Sequence, residues 1–361
     1  MNKKRLFLLT ALIFVILCGC GNKDTADKYV GEQITAVKEG SSDKLSLILD
    51  DGISESNELY VLQFPDELKE PYLDFMKEAF KSIEFEVEPA KENGENSYSV
   101  RVSFSPLDIG KTTEQTCNDY LSSMSSSDLT EEVSTLLGDA QKAIAEDPVY
   151  SEEKYTTLTV TKGEDGFSVS DEDMKSFLEQ VLLNYMQPYD AVCELLNEQD
   201  FLKAYLDASF KGEVSQFARH TNRTEEEAVA WYEEEVFDPP EDLVSSYSDR
   251  YKEAMKTIFK QCKYTVGIPQ KDSGAYSYTV DVTVIPNTSL VNVTSELNNG
   301  TYYSVDDVSR SFVESLEKYA ASPTYGDETV VTVSLNYQTL AAAGEDDADL
   351  TILVSTILPY E

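Results

Sequence analysis

The pattern of hydrophobic and polar positions predicts the same order of elements in each half of the chain. Apolar residues between Leu68 and Phe80 recur at helical spacing, whereas those between Tyr98 and Phe104 alternate with polar residues, as in a strand with one buried face. In the first half we expect helices over 29–49, from Pro65 onward and within 112–145, and strands over 83–87, 98–104, 155–160 and 167–169. In the second half we expect helices over 200–237, 240–260 and 305–321, and strands over 262–268, 276–285, 329–337 and 350–358.

The two halves also resemble each other in sequence. Residues 65–83 align without a gap with residues 240–258 and are identical at nearly half of the positions, Tyr72 and Tyr247 among them. Residues 97–106 align in turn with residues 277–286. Because the order of the similar segments is kept, we predict a tandem duplication that places Tyr72 and Tyr247 in equivalent positions on equivalent helices.

A further helix is predicted between the two copies. Ser170 precedes three acidic residues, and such a sequence is typical of a helix N-terminus, where a serine oxygen and carboxylates suit the free amides. We expect Pro188 to end or kink this helix. Strand pairs joined by short turns are antiparallel, so the predicted fold class is α+β. It consists of two tandem copies of a helix-plus-antiparallel-sheet domain, a first repeat over 28–170 and a second over 200–361, joined by a connecting helix over 171–199.

The N-terminus has the order of residues found in secretion signals. Lys3, Lys4 and Arg5 precede an apolar run from Leu6 to Leu17, which is shorter than the roughly 20 residues that a membrane-spanning helix needs. The sequence Leu17-Cys18-Gly19-Cys20 resembles the lipobox of bacterial lipoproteins, with a branched residue three positions and a small residue one position before Cys20. The resemblance implies a signal peptide over 1–19 and a lipidated tether over 20–27. Its acylated Cys20 would insert into the lipid bilayer at the outer face of the bacterial cell membrane.

A second resemblance lies in the C-terminal half. The segments 205–213 and 224–228 resemble the opening helices of uncharacterised Gram-positive lipoproteins that are thought to fold like nuclear transport factor or cystatin. This similarity implies tandem nuclear-transport-factor-like or cystatin-like domains, each with a curved sheet wrapped on helices and each able to hold a pocket. It implies no particular chemistry.

The charge of the chain excludes one class of partner. Asp and Glu number 67 against 29 Lys and Arg, which gives a net charge of −38, and loss of the three basic residues in 1–19 takes it to −41. Binding to nucleic acid depends on basic side chains that neutralise phosphates, so we expect no nucleic-acid partner. A protein, a wall component or a small-molecule ligand remains open.

The sequence contains no catalytic or metal-binding signature. His220 is the only histidine, and Cys117, Cys193 and Cys262 lack CxxC spacing, so no zinc site is predicted, although one cysteine pair remains possible. The acidic runs 225–227, 233–235 and 345–349 lack the spacing of a calcium loop. We therefore predict no catalytic, cofactor-binding or metal-binding residue, and Cys20 is the one predicted site residue, as the point of lipid attachment.

These observations favour a membrane-anchored extracytoplasmic module that binds a ligand or another protein without catalysing a reaction. The alternative is an extracytoplasmic hydrolase that uses paired carboxylates. Two carboxylates that face each other in a deep cleft, one with a strongly raised pKa, would favour the enzyme.

Overall fold

The computed structural model describes residues 25–234, 237–271, 278–335, 340–342 and 347–360, and within them the protein is a mixed α and β structure, as predicted. The predicted signal peptide, Cys20 and most of the predicted tether lie outside the described residues. So do the end of the acidic run 233–235 and the beginning of the run 345–349. We call residues 25–186 the N-terminal half and residues 187–360 the C-terminal half.

The N-terminal half consists of six helices and seven strands among its described residues. In chain order they are α1 (Ala26–Lys38), α2 (Leu45–Leu59), α3 (Lys69–Lys81), β1 (Phe85–Val87), β2 (Lys91–Glu92), β3 (Ser97–Phe104), β4 (Leu107–Asp108), α4 (Ile109–Ser123), α5 (Leu129–Glu146), β5 (Lys154–Gly163), β6 (Gly166–Val169), α6 (Asp171–Val181) and β7 (Leu182–Leu183). A 3-10 turn, Asp66–Leu68, precedes α3.

The C-terminal half repeats much of this order. Its described elements are α7 (Gln187–Lys211), α8 (Ser215–His220), α9 (Glu225–Glu234), α10 (Ser248–Lys260), β8 (Lys263–Val266), β9 (Gln270–Lys271), β10 (Tyr278–Ile285), α11 (Ser289–Asn298), α12 (Val305–Ala321), β11 (Thr329–Leu335) and α13 (Ala348–Ile357). A 3-10 turn, Ser245–Tyr247, precedes α10.

Each half has one antiparallel sheet with a long central strand. In the first sheet β3 lies between β1 and β5, β6 pairs with β5, and Val102 is opposite Thr156. In the second sheet β10 lies between β8 and β11, and Val282 is opposite Val331. The alternation of buried valines along β3 and β10 explains why sequence periodicity identified both strands.

Each half also contains a corresponding tyrosine hydrogen bond outside its sheet. The Tyr150 hydroxyl donates to the Ser82 carbonyl, at the end of α3, at 3.0 Å. The Tyr325 hydroxyl donates to the Gln261 carbonyl, at the end of α10, also at 3.0 Å. In each half a tyrosine therefore fixes the segment before the last long strand against the C-terminus of a core helix.

Helix α7 connects the two halves over 25 residues. It packs against α4 and α5 of the N-terminal half and against α8, α10 and β8 of the C-terminal half. Fifteen of its residues are buried, among them Tyr189, Phe201 and Phe210. Gly212 ends the helix with a φ of 73°, a left-handed conformation that glycine adopts without steric cost.

Several predicted boundaries are confirmed. Ser170 caps α6, since its Oγ accepts a hydrogen bond from the Asp173 amide at 3.1 Å. Thr224 and Glu227 cap α9 reciprocally, through the Glu227 amide and the Thr224 amide. Helix α12 has the predicted bounds 305–321.

The predicted strand over 350–358 is wrong, because these residues form α13. The Asp347 carboxylate accepts the Leu350 amide at 2.8 Å and so caps the helix. Leu350, Leu353 and Ile357 are buried at helical spacing, and the helix packs on β10 and β11. The β-branched residues of the segment suggested a strand, but the cap and the packing outweigh that propensity.

The prediction for Pro188 is also wrong. Helix α6 ends at Val181, before the proline, and Pro188 lies in the first turn of α7. Proline is well placed there, because its missing amide would have no partner within the helix. The predicted connecting segment 171–199 thus contains two helices, and the second continues past residue 199 into the C-terminal half.

The predicted equivalence of Tyr72 and Tyr247 is wrong by four residues. Tyr72 lies within α3 and is fully buried, whereas Tyr247 ends the 3-10 turn before α10 and is half-buried. Counted from the start of each helix, the counterpart of Tyr72 is Tyr251. A shift of four residues is close to one helical turn, so a helix shifted by four residues presents the same face. The sequence alignment therefore paired the corresponding faces of the two helices but was wrong by one turn.

Candidate functional site

A cleft of about 420 Å³ lies where the two halves meet. Helix α7 forms one wall, and the other walls come from the segment after α2, the loop before α5, and β8. The polar side chains that line it are Ser127, Gln199, Asp200, Lys203, Asp207, Lys211, Tyr264 and Thr265. The position makes this cleft the candidate functional site, because both halves contribute to it.

Helical spacing places the polar residues of α7 in the cleft. Gln199, Lys203, Asp207 and Lys211 follow one another at intervals of four and therefore lie along one stripe of the helix. The residues on either side of this stripe, such as Leu202 and Leu206, are fully buried. The Gln199 amide nitrogen donates to the carbonyls of Val266 and Gly267 at 3.2 and 3.0 Å, which holds β8 against α7.

Asp200 is held in its ionised form at one end of the cleft. His220 Nε2 lies 2.7 Å from Asp200 Oδ2, and the Gln216 amide nitrogen donates to the same oxygen at 2.6 Å. Burial works to raise the pKa of Asp200, but these two hydrogen bonds keep it below its usual range. His220 itself is fully buried and stacks on Phe201, with ring centroids 4.5 Å apart.

A second polar group lies at the other end. Lys211 pairs with Asp207 at 2.6 Å, and the Tyr264 hydroxyl donates to the same carboxylate oxygen at 2.8 Å. The Lys211 ammonium also lies 4.8 Å from the centroid of the Tyr264 ring. The three side chains hold one another in place and present a fixed, nearly neutral surface.

Lys203 lies between these two groups and differs from them. Its side chain is exposed and forms no ion pair within 4.0 Å among the described residues, although its positive charge helps to lower the pKa of Asp200. The arrangement can bind an anionic group at Lys203 and polar groups on either side.

The cleft residues do not form a hydrolytic relay. His220 is completely buried behind Asp200, so it cannot reach a substrate. Ser127 is exposed, and among the described residues no hydrogen bond joins its hydroxyl to a basic side chain.

A row of carboxylates lies on another stripe of α7. Asp190, Glu194 and Glu198 are spaced by four residues. Burial, aided by the charge of Glu194, raises the pKa of Glu198 to about 7. Glu194 accepts hydrogen bonds from the Tyr278 hydroxyl and from Lys271, so residues of the second sheet cover it.

This row does not meet the geometric condition for a hydrolase. Glu194 and Glu198 lie on the same helix and point the same way, whereas acid and base in a glycosidase lie on opposite sides of the bond that is cleaved. Neither residue lines the cleft. The raised pKa of Glu198 reflects burial at the junction of the two halves.

The three cysteines of the described chain lie apart from the cleft. Cys117, Cys193 and Cys262 are buried and free, and none is part of a disulfide. Burial raises the pKa of both Cys193 and Cys262 to about 12, which makes these thiols unreactive. Among the described residues, no group of three or more His, Cys, Asp or Glu side chains could hold a metal ion.

The cleft was not predicted from the sequence. Its lysines and acids on α7 follow a polar stripe in an otherwise buried helix, and that stripe is visible in the sequence. The cleft also depends on β8 and on residues near Leu62, which only the tertiary structure brings to α7.

No helix in the described part of the chain is both long enough and apolar enough to span a membrane. No protein-family model, curated protein or solved structure shows significant similarity to this chain.

Proposed function

We propose that this protein is a lipid-anchored extracytoplasmic binding module that is not an enzyme. The observation that carries the proposal is the N-terminal sequence, in which a basic segment, a short apolar run and Leu17-Cys18-Gly19-Cys20 follow one another. A second observation fits it. Helix α1 begins at Ala26, so five residues lie between Cys20 and the folded body, a stretch of chain that can reach at most roughly 20 Å.

We further propose that the body consists of two copies of one unit, as in tandem nuclear-transport-factor-like or cystatin-like domains. The matching registers of β3 with β5 and of β10 with β11 support this. So do the corresponding hydrogen bonds of Tyr150 and Tyr325. In this account α7 belongs to the second copy and packs on the first, so the copies form a fixed pair with one cleft between them.

The anchor is tested by substitution of each cysteine near the signal. Cys20→Ala should leave an unprocessed precursor or release the protein from the membrane fraction, and it should abolish labelling with a radioactive fatty acid. Cys18→Ala is the matched control and should change neither. If Cys18→Ala abolishes labelling and Cys20→Ala does not, the assignment of the lipid to Cys20 is wrong.

The binding role is tested with small anionic compounds added to residues 22–361, a panel of amino acids, dipeptides and sugar phosphates being suitable. A ligand that occupies the cleft should raise the melting temperature of the wild type, since it binds only the folded state. Lys203→Ala should abolish this rise, whereas Lys260→Ala, which removes an exposed lysine of α10, should not. A rise that survives Lys203→Ala would place the ligand elsewhere.

A further inference from the structure

Helix α7 covers one face of the N-terminal half. The Tyr189 ring lies 4.8 Å from the ring of Phe64, and Cys193 Sγ lies 3.9 Å from the Leu62 carbonyl. The same helix packs on α4 and α5. Beneath it Leu68 and Leu136 are fully buried.

Among the described residues, no helix covers the corresponding face of the C-terminal half. The buried residues Val133, Leu137 and Ala140 of α5 match Ser309, Val313 and Leu316 of α12, so the two helices can be compared position by position. Helix α12 packs on α10 and α11, but no other helix of the described residues packs on it as α7 packs on α5.

The residues on this face are largely apolar, and Arg250 lies over the ring of its one tyrosine, Tyr247, at 5.8 Å from the ring centroid. We call Leu243, Tyr247, Val305, Val308 and Phe312 the docking face; their counterparts are Phe64, Leu68, Leu129, Glu132 and Leu136. Val305 is 62% exposed and Val308 is 40% exposed, and the other three are half-buried. The Val244 amide donates to Ser309 Oγ at 3.1 Å, which joins the two segments into one surface.

The charges beside the docking face indicate what can cover it. Arg310 pairs with Asp306 and Asp307, and Arg250 pairs with Glu317. Glu241, Asp242 and Glu314 are exposed and form no ion pair within the described chain, so the rim carries uncompensated negative charge. A second copy of this chain would bring the same acids and its own charge of −38, which opposes self-association.

We propose that the docking face binds an amphipathic helix from another protein, seated as α7 is seated on the N-terminal half and flanked by lysine or arginine. In the N-terminal half Leu62 lies beside α7, and the corresponding residue of the C-terminal half is Glu241. Basic residues on the incoming helix would therefore meet the acidic rim. The proposal rests on the equivalence of the two halves proposed above. It does not depend on the lipid anchor.

The test uses peptides derived from α7 and residues 22–361 of the protein, under reducing conditions. One peptide has the native sequence 187–204, and the other carries Asp190→Lys, Glu194→Lys and Glu198→Lys. The basic peptide should bind with a Kd of about 10–100 µM, and the native acidic peptide at least about tenfold more weakly. Val308→Asp and Val305→Asp should each weaken binding of the basic peptide by about tenfold or more.

Ile352→Asp is the matched control, because Ile352 is 57% exposed on α13, and it should leave binding unchanged. Unaltered melting temperatures would show that the variants fold. Equal binding to wild type and both docking-face variants, or no binding at all, would overturn the proposal. If sedimentation shows a dimer that Val308→Asp dissociates, the docking face binds a second copy of the chain and the proposal is wrong. The peptides bind the soluble body, so the result is independent of what Cys20→Ala shows.

Discussion

The carboxylate of Glu198 is half-buried at the junction of the two halves, beside the charge of Glu194. Its pKa rises from the ordinary value of 4.5 to about 7, so the folded state binds the proton more tightly than the unfolded chain. Glu198 does not destabilise the protein below pH 4.5, destabilises it increasingly as the pH rises to 7, and does so fully above that value.

Glu198→Gln should therefore stabilise the protein more at pH 8 than at pH 5. The difference should be about 1–2 kcal/mol in the free energy of unfolding, less than the full shift implies because the side chain still contacts solvent. Urea denaturation at the two pH values measures it. Glu314→Gln, which removes an exposed carboxylate of α12, should have the same small effect at both. A pH-independent effect of Glu198→Gln would contradict the assigned burial.

At the scale of elements, the two glycines that end helices α1 and α7 provide a matched pair. Gly40 and Gly212 have φ angles of 71° and 73°. A Cβ at Gly212 would lie 2.8 Å from the Tyr232 ring, whereas at Gly40 the nearest atom is 3.8 Å away. Gly40→Ala should cost about 1 kcal/mol from backbone strain alone, and Gly212→Ala about 2–3 kcal/mol, because the clash adds to the strain. Chemical denaturation measures both, and equal costs would contradict this packing of α7.

Most helices and strands could be predicted from the sequence because their apolar positions keep a clear period. The paired strands β3 and β10 and the caps at Ser170 and Thr224 are examples. Helix α13 could not be predicted, since its β-branched residues favour a strand and its packing on β11 is a tertiary effect. The alignment placed α10 one turn out of position because a four-residue shift preserves the helical face. The cleft could not be predicted, because it forms between segments far apart in sequence.

At the scale of the whole molecule, net negative charge is the dominant electrostatic feature. Repulsion among like charges destabilises the compact state, and monovalent salt screens it. The melting temperature of residues 22–361 should therefore rise between about 0.01 and 0.1 M NaCl, as the Debye length falls from about 30 Å to about 10 Å.

A calcium site would behave differently from this general screening. We expect no separate response to sub-millimolar Ca²⁺ in about 0.15 M salt, and Mg²⁺ serves as the control ion. A rise of several degrees with Ca²⁺ and none with Mg²⁺ would mean that the acidic surface includes a specific cation site.

The central claim is that the protein is attached to the membrane through a lipid on Cys20, and the mass of its N-terminal peptide tests this most directly. The protein would be extracted from the membrane fraction with detergent, digested with a protease, and analysed by mass spectrometry. The account predicts a peptide that begins at Cys20 and carries a diacylglyceryl group on its sulfur. A peptide that begins elsewhere, or one that begins at Cys20 without the lipid mass, would contradict it.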